Sequence, residues 1–146
     1  MSDQILNTER STLRIDEDSP KKSQESLLDD RSIEQTVRVM KALSDEIRVR
    51  LLLLLKEDEA CVCELMEVFG MSQSRISHHL ILLRDAGFLR DEKRGKWNYY
   101  RADTRTLDTF KMGLLETVTR GVENSATARD DRKTFENVKA RLRINC

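Results

Sequence analysis

The stretch MSQSRISHHLILLRDAGFLRDEKRGKWNYYRAD, residues 71–103, decides the fold. Its first half has a helical period: Ile76, Leu80 and Leu83 recur at i, i+4 and i+7 and make one apolar face. Ser72 is a good N-cap and Gly87 suits the position just past a helix end, so the spacing predicts a helix from Ser72 to Ala86. Ser74, Ser77 and His78 then point away from the core, while His79 lies nearer the apolar side. From Phe88 the period shortens to two. The residues FLRDEKRGKWNYYRAD predict a strand, a turn at Arg94-Gly95-Lys96 and a second strand, a β-hairpin with a basic tip. Trp97, Tyr99 and Arg101 share one strand face, with Asn98 and Tyr100 on the other.

Toward the N-terminus, Leu65, Val68 and Phe69 mark a short helix over 61–69 that stops at Gly70, behind an acidic connector at 57–60. Before it, the run Leu51 to Leu55 lies in a helix expected over 45–56, capped by Ser44 or Asp45 and buried on most sides. Ile33, Val37, Met40 and Leu43 make one face of a helix that begins near Ser32. Past the hairpin, Leu107, Phe110, Leu114 and Val118 form the stripe of a helix expected over 104–121. Phe135, Val138 and Leu142 suggest a weaker one over 129–143. Residues 1–30 hold the only proline and several acidic clusters, and are expected to be a disordered tail. The order is that of a mainly α fold with a β-hairpin, a winged helix-turn-helix. It is expected over residues 31–122, with a partly helical extension at 123–146. Such a unit suits DNA, because a helix fits the major groove and a basic hairpin reaches the flanking phosphates.

Charge gives a divided answer. The 26 basic and 26 acidic residues cancel, and the sum by itself discourages a nucleic-acid partner. Residues 72–105 alone carry eight basic against four acidic side chains, together with both histidines and the only tryptophan. The longest apolar run falls far short of the roughly 20 residues of a membrane-spanning helix. The first residues, MSDQILNTER, lack the pattern of a secretory signal. Three cysteines are too few for a disulfide framework, so a reduced, cytoplasmic protein without a membrane partner is expected. None of the five glycines forms a phosphate loop, and His78-His79 are adjacent instead of spaced as on a metalloprotease helix. An enzyme is not expected.

From Val39 to Asp103 the chain resembles the ArsR/SmtB family of metal-responsive bacterial repressors. The residues that carry the resemblance are KALSDEIRVRLLLLL (41–55), ACVCEL (60–65), MSQSRISHHLILLRDAGFL (71–89) and GKWNYYR (95–101). The resemblance implies a homodimer that binds an imperfect palindrome of double-stranded operator DNA and releases it when metal binds. Gln73, Ser74, Arg75, Ser77 and His78 match the family's DNA-contacting segment. Lys93, Arg94 and Lys96 look like phosphate contacts of the wing. The stripes of helices 33–43 and 104–121 are apolar faces that a dimer would cover.

The ACVCEL box suggests the inducer. Cys61 and Cys63 open a helix, where the partial positive charge favours thiolates, and thiolates select soft ions. On a regular helix, side chains two apart diverge by about 200°. Chelation therefore requires Cys61 at a frayed helix start, or a distorted helix. The arsenic-responsive branch of the family carries a third cysteine where this chain has Met66, which leaves Cys146 as the one further thiol. The expectation is a DNA-binding repressor released by As(III) or Sb(III) on Cys61 and Cys63, with Cys146 as a third ligand and no organic cofactor. Cadmium/lead members add N-terminal cysteines, which are missing from this N-terminus. The family's other metal site pairs Asp/His with His/Glu on the dimer helix. Here that helix has Asp108 and Glu116 but no histidine, so the site is not expected. Two alternatives stay open: a thiol-redox or persulfide-responsive repressor of the same fold, and a protein-docking winged helix whose cysteines only pack.

Overall fold

The computed structural model describes residues 33–145, with side chains through residue 142. The tail over 1–30 and Cys146 lie outside the described residues. Two units are distinguished, Met1–Arg38 and Val39–Cys146. Residues 33–43 form α1, which begins in the first unit and ends in the second. Within the first unit, Arg38 donates to Glu34 one turn earlier at 3.2 Å.

The second unit holds the winged helix, and its element order is α2 (Glu46–Glu57), β1 (Ala60–Cys61), α3 (Val62–Phe69), α4 (Gln73–Asp85), β2 (Leu89–Arg94), β3 (Trp97–Ala102), α5 (Thr109–Val122) and α6 (Ala126–Asn145). Asp45 caps α2, accepting from the Arg48 N–H at 3.0 Å. All five leucines from Leu51 to Leu55 are buried. The sequence makes this helix apolar around its whole circumference, so its neighbours must enclose it. Ile76, Leu80 and Leu83 of α4 cover it as their spacing predicts, joined by Leu65, Phe88 and Tyr100. At the end of α4 the Gly87 N–H donates to the Arg84 carbonyl and the Phe88 N–H to that of Leu83, a Schellman closure.

Several expected boundaries shift. The first two residues of the ACVCEL box are extended: β1 pairs antiparallel with β3, Ala60 opposite Tyr100 and Cys61 opposite Tyr99, giving the sheet order β1-β3-β2. A two-residue strand is too short to show a period, and its partner lies some forty positions away. On α1 the buried residues are Val39 and Ala42, while Ile33, Val37 and Met40 are exposed. The helix expected from 104 starts at Thr109. Asp103 and Thr106 close a turn first (2.7 Å), and Asp108 then caps the helix by accepting from the Lys111 N–H at 2.9 Å. Leu115 and Thr119 are its buried residues, and Phe110, assigned to the same stripe as Leu114, is exposed. Thr119 is tolerated inside because its hydroxyl donates to the Leu115 carbonyl at 2.7 Å.

The C-terminal helix is longer and more firmly held than its weak pattern suggests. Ala128, Phe135 and Val138 are buried, and α6 packs on α2 and α3. Polar side chains hold it as well. Arg50 of α2 makes a two-pronged pair with Asp131 at 2.7 and 2.8 Å, with Asp131 almost enclosed. Lys139 reaches Asp58 at 2.6 Å, and Arg132 reaches Glu57 at 2.8 Å on the exposed side. Among the described residues no helix is long and apolar enough to cross a membrane.

Breaking an enclosed pair by removing one partner costs far more than losing an exposed one. Asp131→Ala should therefore lower stability by about 2 kcal/mol, and Arg132→Ala by less than about 1 kcal/mol, in urea unfolding. Equal small losses would mean that apolar contacts alone hold α6.

Candidate functional site

The joint between α3 and α4 is tight. Gly70 ends α3 at φ +60°, a left-handed conformation that costs a residue with a Cβ, and Met71 donates back to the Met66 carbonyl at 3.2 Å. Ser72 then starts α4 with extended backbone, although its hydroxyl lies 3.3 Å from that of Ser74 instead of on a helix N–H. Gln73, Ser74, Arg75 and His78 are exposed on the first turns of α4, and Ser77 is half-buried beside them. These five side chains thus sit together on the outward side of a helix whose other side is locked into the core. His79 differs. Its Nδ1 lies 3.4 Å from the Arg48 guanidinium and 3.8 Å from Asp45, and burial lowers its pKa, so it belongs to the packing behind α4.

The wing turns on Gly95 and Lys96. Gly95 has φ +61°, and a two-residue hairpin turn that follows strand twist needs a positive φ there. Its three basic residues are not equivalent. Lys93 is exposed, and the Lys96 ammonium lies 5.4 Å from the centre of the Trp97 ring. The Arg94 guanidinium is gripped by Glu59, at 2.5 and 3.0 Å, and by Glu92, at 2.8 Å. The same fork lowers the carboxyl pKa of Glu59. Sequence reasoning passed over Glu59 because an acidic connector gives no sign of which basic residue it will meet.

The two thiols lie where α3 meets the sheet. Cys61 is the N-cap of α3 with φ −85° and ψ 163°, so it precedes the helix and the helical divergence from Cys63 does not apply. Cys61 and Cys63 line the same cleft. The Cys61 backbone N–H donates to the buried Glu64 carboxylate at 2.9 Å, and its sulfur faces the Glu64 backbone N–H, a capping box with cysteine in the place of serine. The expected thiolate character fails at Cys61, whose pKa is pushed up to about 12. Burial is the main cause and the neighbouring Cys63 the next; the Glu64 backbone N–H pulls the other way by more than its carboxylate repels, but not by enough to offset burial.

A cleft of about 190 Å³ opens beside the pair. Trp97 and Tyr99 wall it from the wing, Glu67 from α3, and Leu142 from α6. Met66 packs against the core. Among the described residues no three His, Cys, Asp or Glu side chains are grouped to hold a metal ion. Of the three cysteines the sequence singles out, Cys61 and Cys63 line this cleft. Cys146 lies outside the described residues. Asp108, one of the carboxylates on the dimer-type helix, is occupied as the α5 cap.

Residues 45–91 match the family described as bacterial regulatory protein, arsR family. The chain is 50% identical over 82 residues to the arsenic resistance transcriptional regulator ArsR1 of Pseudomonas putida, covering 53% of this chain and 64% of that one. It thus spans less than two thirds of that regulator's length. Against the uncharacterized HTH-type transcriptional regulator MJ1325 of Methanocaldococcus jannaschii the identity is 37%, over 54% of this chain and 91% of the relative. Among solved structures, the homodimeric winged helix-turn-helix DNA-binding domain of Mb0332 from Mycobacterium bovis superposes with a TM-score of 0.54 at 25% identity, covering 66% of this chain and 85% of that one. A tight joint between α3 and α4, the exposed polar side of α4 and a basic hairpin beside it define a winged helix-turn-helix protein. The chain belongs to the ArsR family of bacterial regulatory proteins.

Burial and a raised pKa both make Cys61 slow to alkylate. In a Cys146→Ser variant, iodoacetamide at about pH 8 should label Cys63 well before Cys61, and urea should abolish the difference. Equal rates in the native protein would place Cys61 outside the enclosed environment described.

Proposed function

We propose that this protein is a transcriptional repressor that binds operator DNA through α4 and the wing and lets it go when As(III) or Sb(III) binds Cys61 and Cys63. The observation that carries the reading is the position of Cys61. One residue caps the first helix of the helix-turn-helix and pairs with the wing strand at Tyr99. Anything that moves this residue pulls on both DNA-facing parts.

Gln73, Ser74, Arg75, Ser77 and His78 would meet base edges and nearby phosphates. Lys93 and Lys96, and Arg94 when it is released from its carboxylates, would meet flanking phosphates. Two copies would present two such surfaces to an imperfect palindrome. Within the second unit, the uncovered apolar side chains of Met40 and Phe110, 51% and 47% exposed, support a homodimer. The homodimeric relative Mb0332 supports the same assembly.

When bound, trivalent arsenic or antimony supplies three soft positions for sulfur, each filled as a thiol proton leaves with a hydroxide as water. A protonated Cys61 is therefore no obstacle. To share an ion with Cys63, Cys61 would turn its sulfur toward it and away from the Glu64 N–H, which alters the start of α3 where the chain leaves the strand paired with Tyr99. Cys146 would supply the third sulfur. This is supported by Leu142, which stands four residues before it and lines the cleft beside the pair. The burial and raised pKa of Cys61 weigh against oxidation that starts at that sulfur.

A fluorescent operator fragment and reduced protein test the reading. Arsenite should release wild type. Cys61→Ser and Cys63→Ser should bind DNA but not respond, and Cys146→Ser should respond weakly. Full release in the Cys61→Ser/Cys63→Ser double variant would place the sensor elsewhere. On the DNA side, Gln73→Ala and His78→Ala should each cost about 1–3 kcal/mol on the operator only, and Lys96→Ala should weaken every duplex and lower the salt slope by about one. Identical behaviour of the two kinds of variant would refute this division of roles.

A further inference from the structure

Arg94 ends β2 at the tip of the wing, and its position is fixed from three sides. Glu59 accepts from both terminal nitrogens of the guanidinium, at 2.5 and 3.0 Å. Glu92 accepts a further bond at 2.8 Å, and the Tyr99 ring lies under the guanidinium at 4.9 Å. A two-pronged grip on a planar fork is the geometry in which arginine also holds a phosphate, so the carboxylate and a phosphate would compete for the same donors. Glu59 is not part of the wing. It lies in the connector between α2 and β1, two residues before Cys61. Its own backbone is tied down: its N–H donates to Asp58 at 2.8 Å, and its carbonyl accepts from Lys139 of α6. The carboxylate is thus held out to the wing by an element that belongs to the thiol site.

We propose that Glu59 is an internal competitor for the DNA phosphate of the wing. It withholds Arg94 from DNA, and thereby makes the charge of the wing depend on the strand that carries Cys61. This rests on the DNA-binding reading above. Glu92 alone would not keep Arg94 from a phosphate, because its single contact is widely exposed and screened.

The test is the salt dependence of binding to an unrelated duplex, for which phosphate contacts supply the affinity. It needs wild type, Glu59→Gln, Arg94→Ala and the double variant. Glu59→Gln should bind about 3- to 10-fold tighter at low salt, with a slope steeper by about 0.9 for each wing. Arg94→Ala alone should leave the slope nearly unchanged. Removing any negative charge near DNA tightens binding somewhat, but that gain would survive in the Arg94→Ala background, where this proposal requires it to vanish. An equal gain in both backgrounds, an unchanged slope in Glu59→Gln, or a loss of about one in Arg94→Ala would each overturn the proposal while leaving the DNA-binding reading intact. Failure of wild type to bind any duplex would instead bring down the DNA-binding reading, and this proposal with it.

Discussion

Five adjacent leucines on one helix impose the constraint on which the second unit depends. Successive side chains on a helix are about 100° apart, so Leu51 to Leu55 face every direction and each must be covered. The α4 face of Ile76, Leu80 and Leu83, the inward side of the hairpin at Tyr100, Leu115 of α5 and Phe135 of α6 all belong to the core built with this helix. The helix α4 is held in place because its back is part of that enclosure. Its polar front is available because the enclosure needs only one side of it.

Patterns of local period were legible in the sequence. Ile76, Leu80 and Leu83, the Gly87 closure and the change of period at Phe88 all appear as expected, because each is set by a few neighbouring residues. What was not legible depended on distant partners. Cys61 is extended because Tyr99 pairs with it. Val39 and Ala42 are inside although Ile33 and Met40 are larger and more apolar. The α6 helix has a weak stripe but strong anchors, since Arg50 and Lys139 find their carboxylates some eighty positions away in the chain. A stripe of apolar residues says that a face will be covered, not by what.

The thiol pair shows the same division. The sequence places two soft ligands near a helix start, and the fold adds the consequences. As the N-cap, Cys61 escapes the divergence that a helix would impose on the pair, but it inherits the buried carboxylate of Glu64 as a neighbour. The Glu64 N–H at the helix start still favours the thiolate, by more than the Glu64 carboxylate opposes it, but burial outweighs both and decides the protonation of Cys61. Helix-end arguments about cysteine acidity hold only where the thiol is not enclosed.

Trp97 gives this arrangement an optical consequence. It is the only tryptophan in the chain, and its ring stands at once in the wall of the thiol cleft and beside the Lys96 ammonium at the wing tip. All indole emission therefore originates from one point between the thiol cleft and the wing tip. A heavy atom arriving at the cysteines, or a phosphate drawing Lys96 away, would alter the light from the same ring in different ways. The unlabelled protein thus carries a native fluorophore at the place where the proposed inducer and DNA would be told apart.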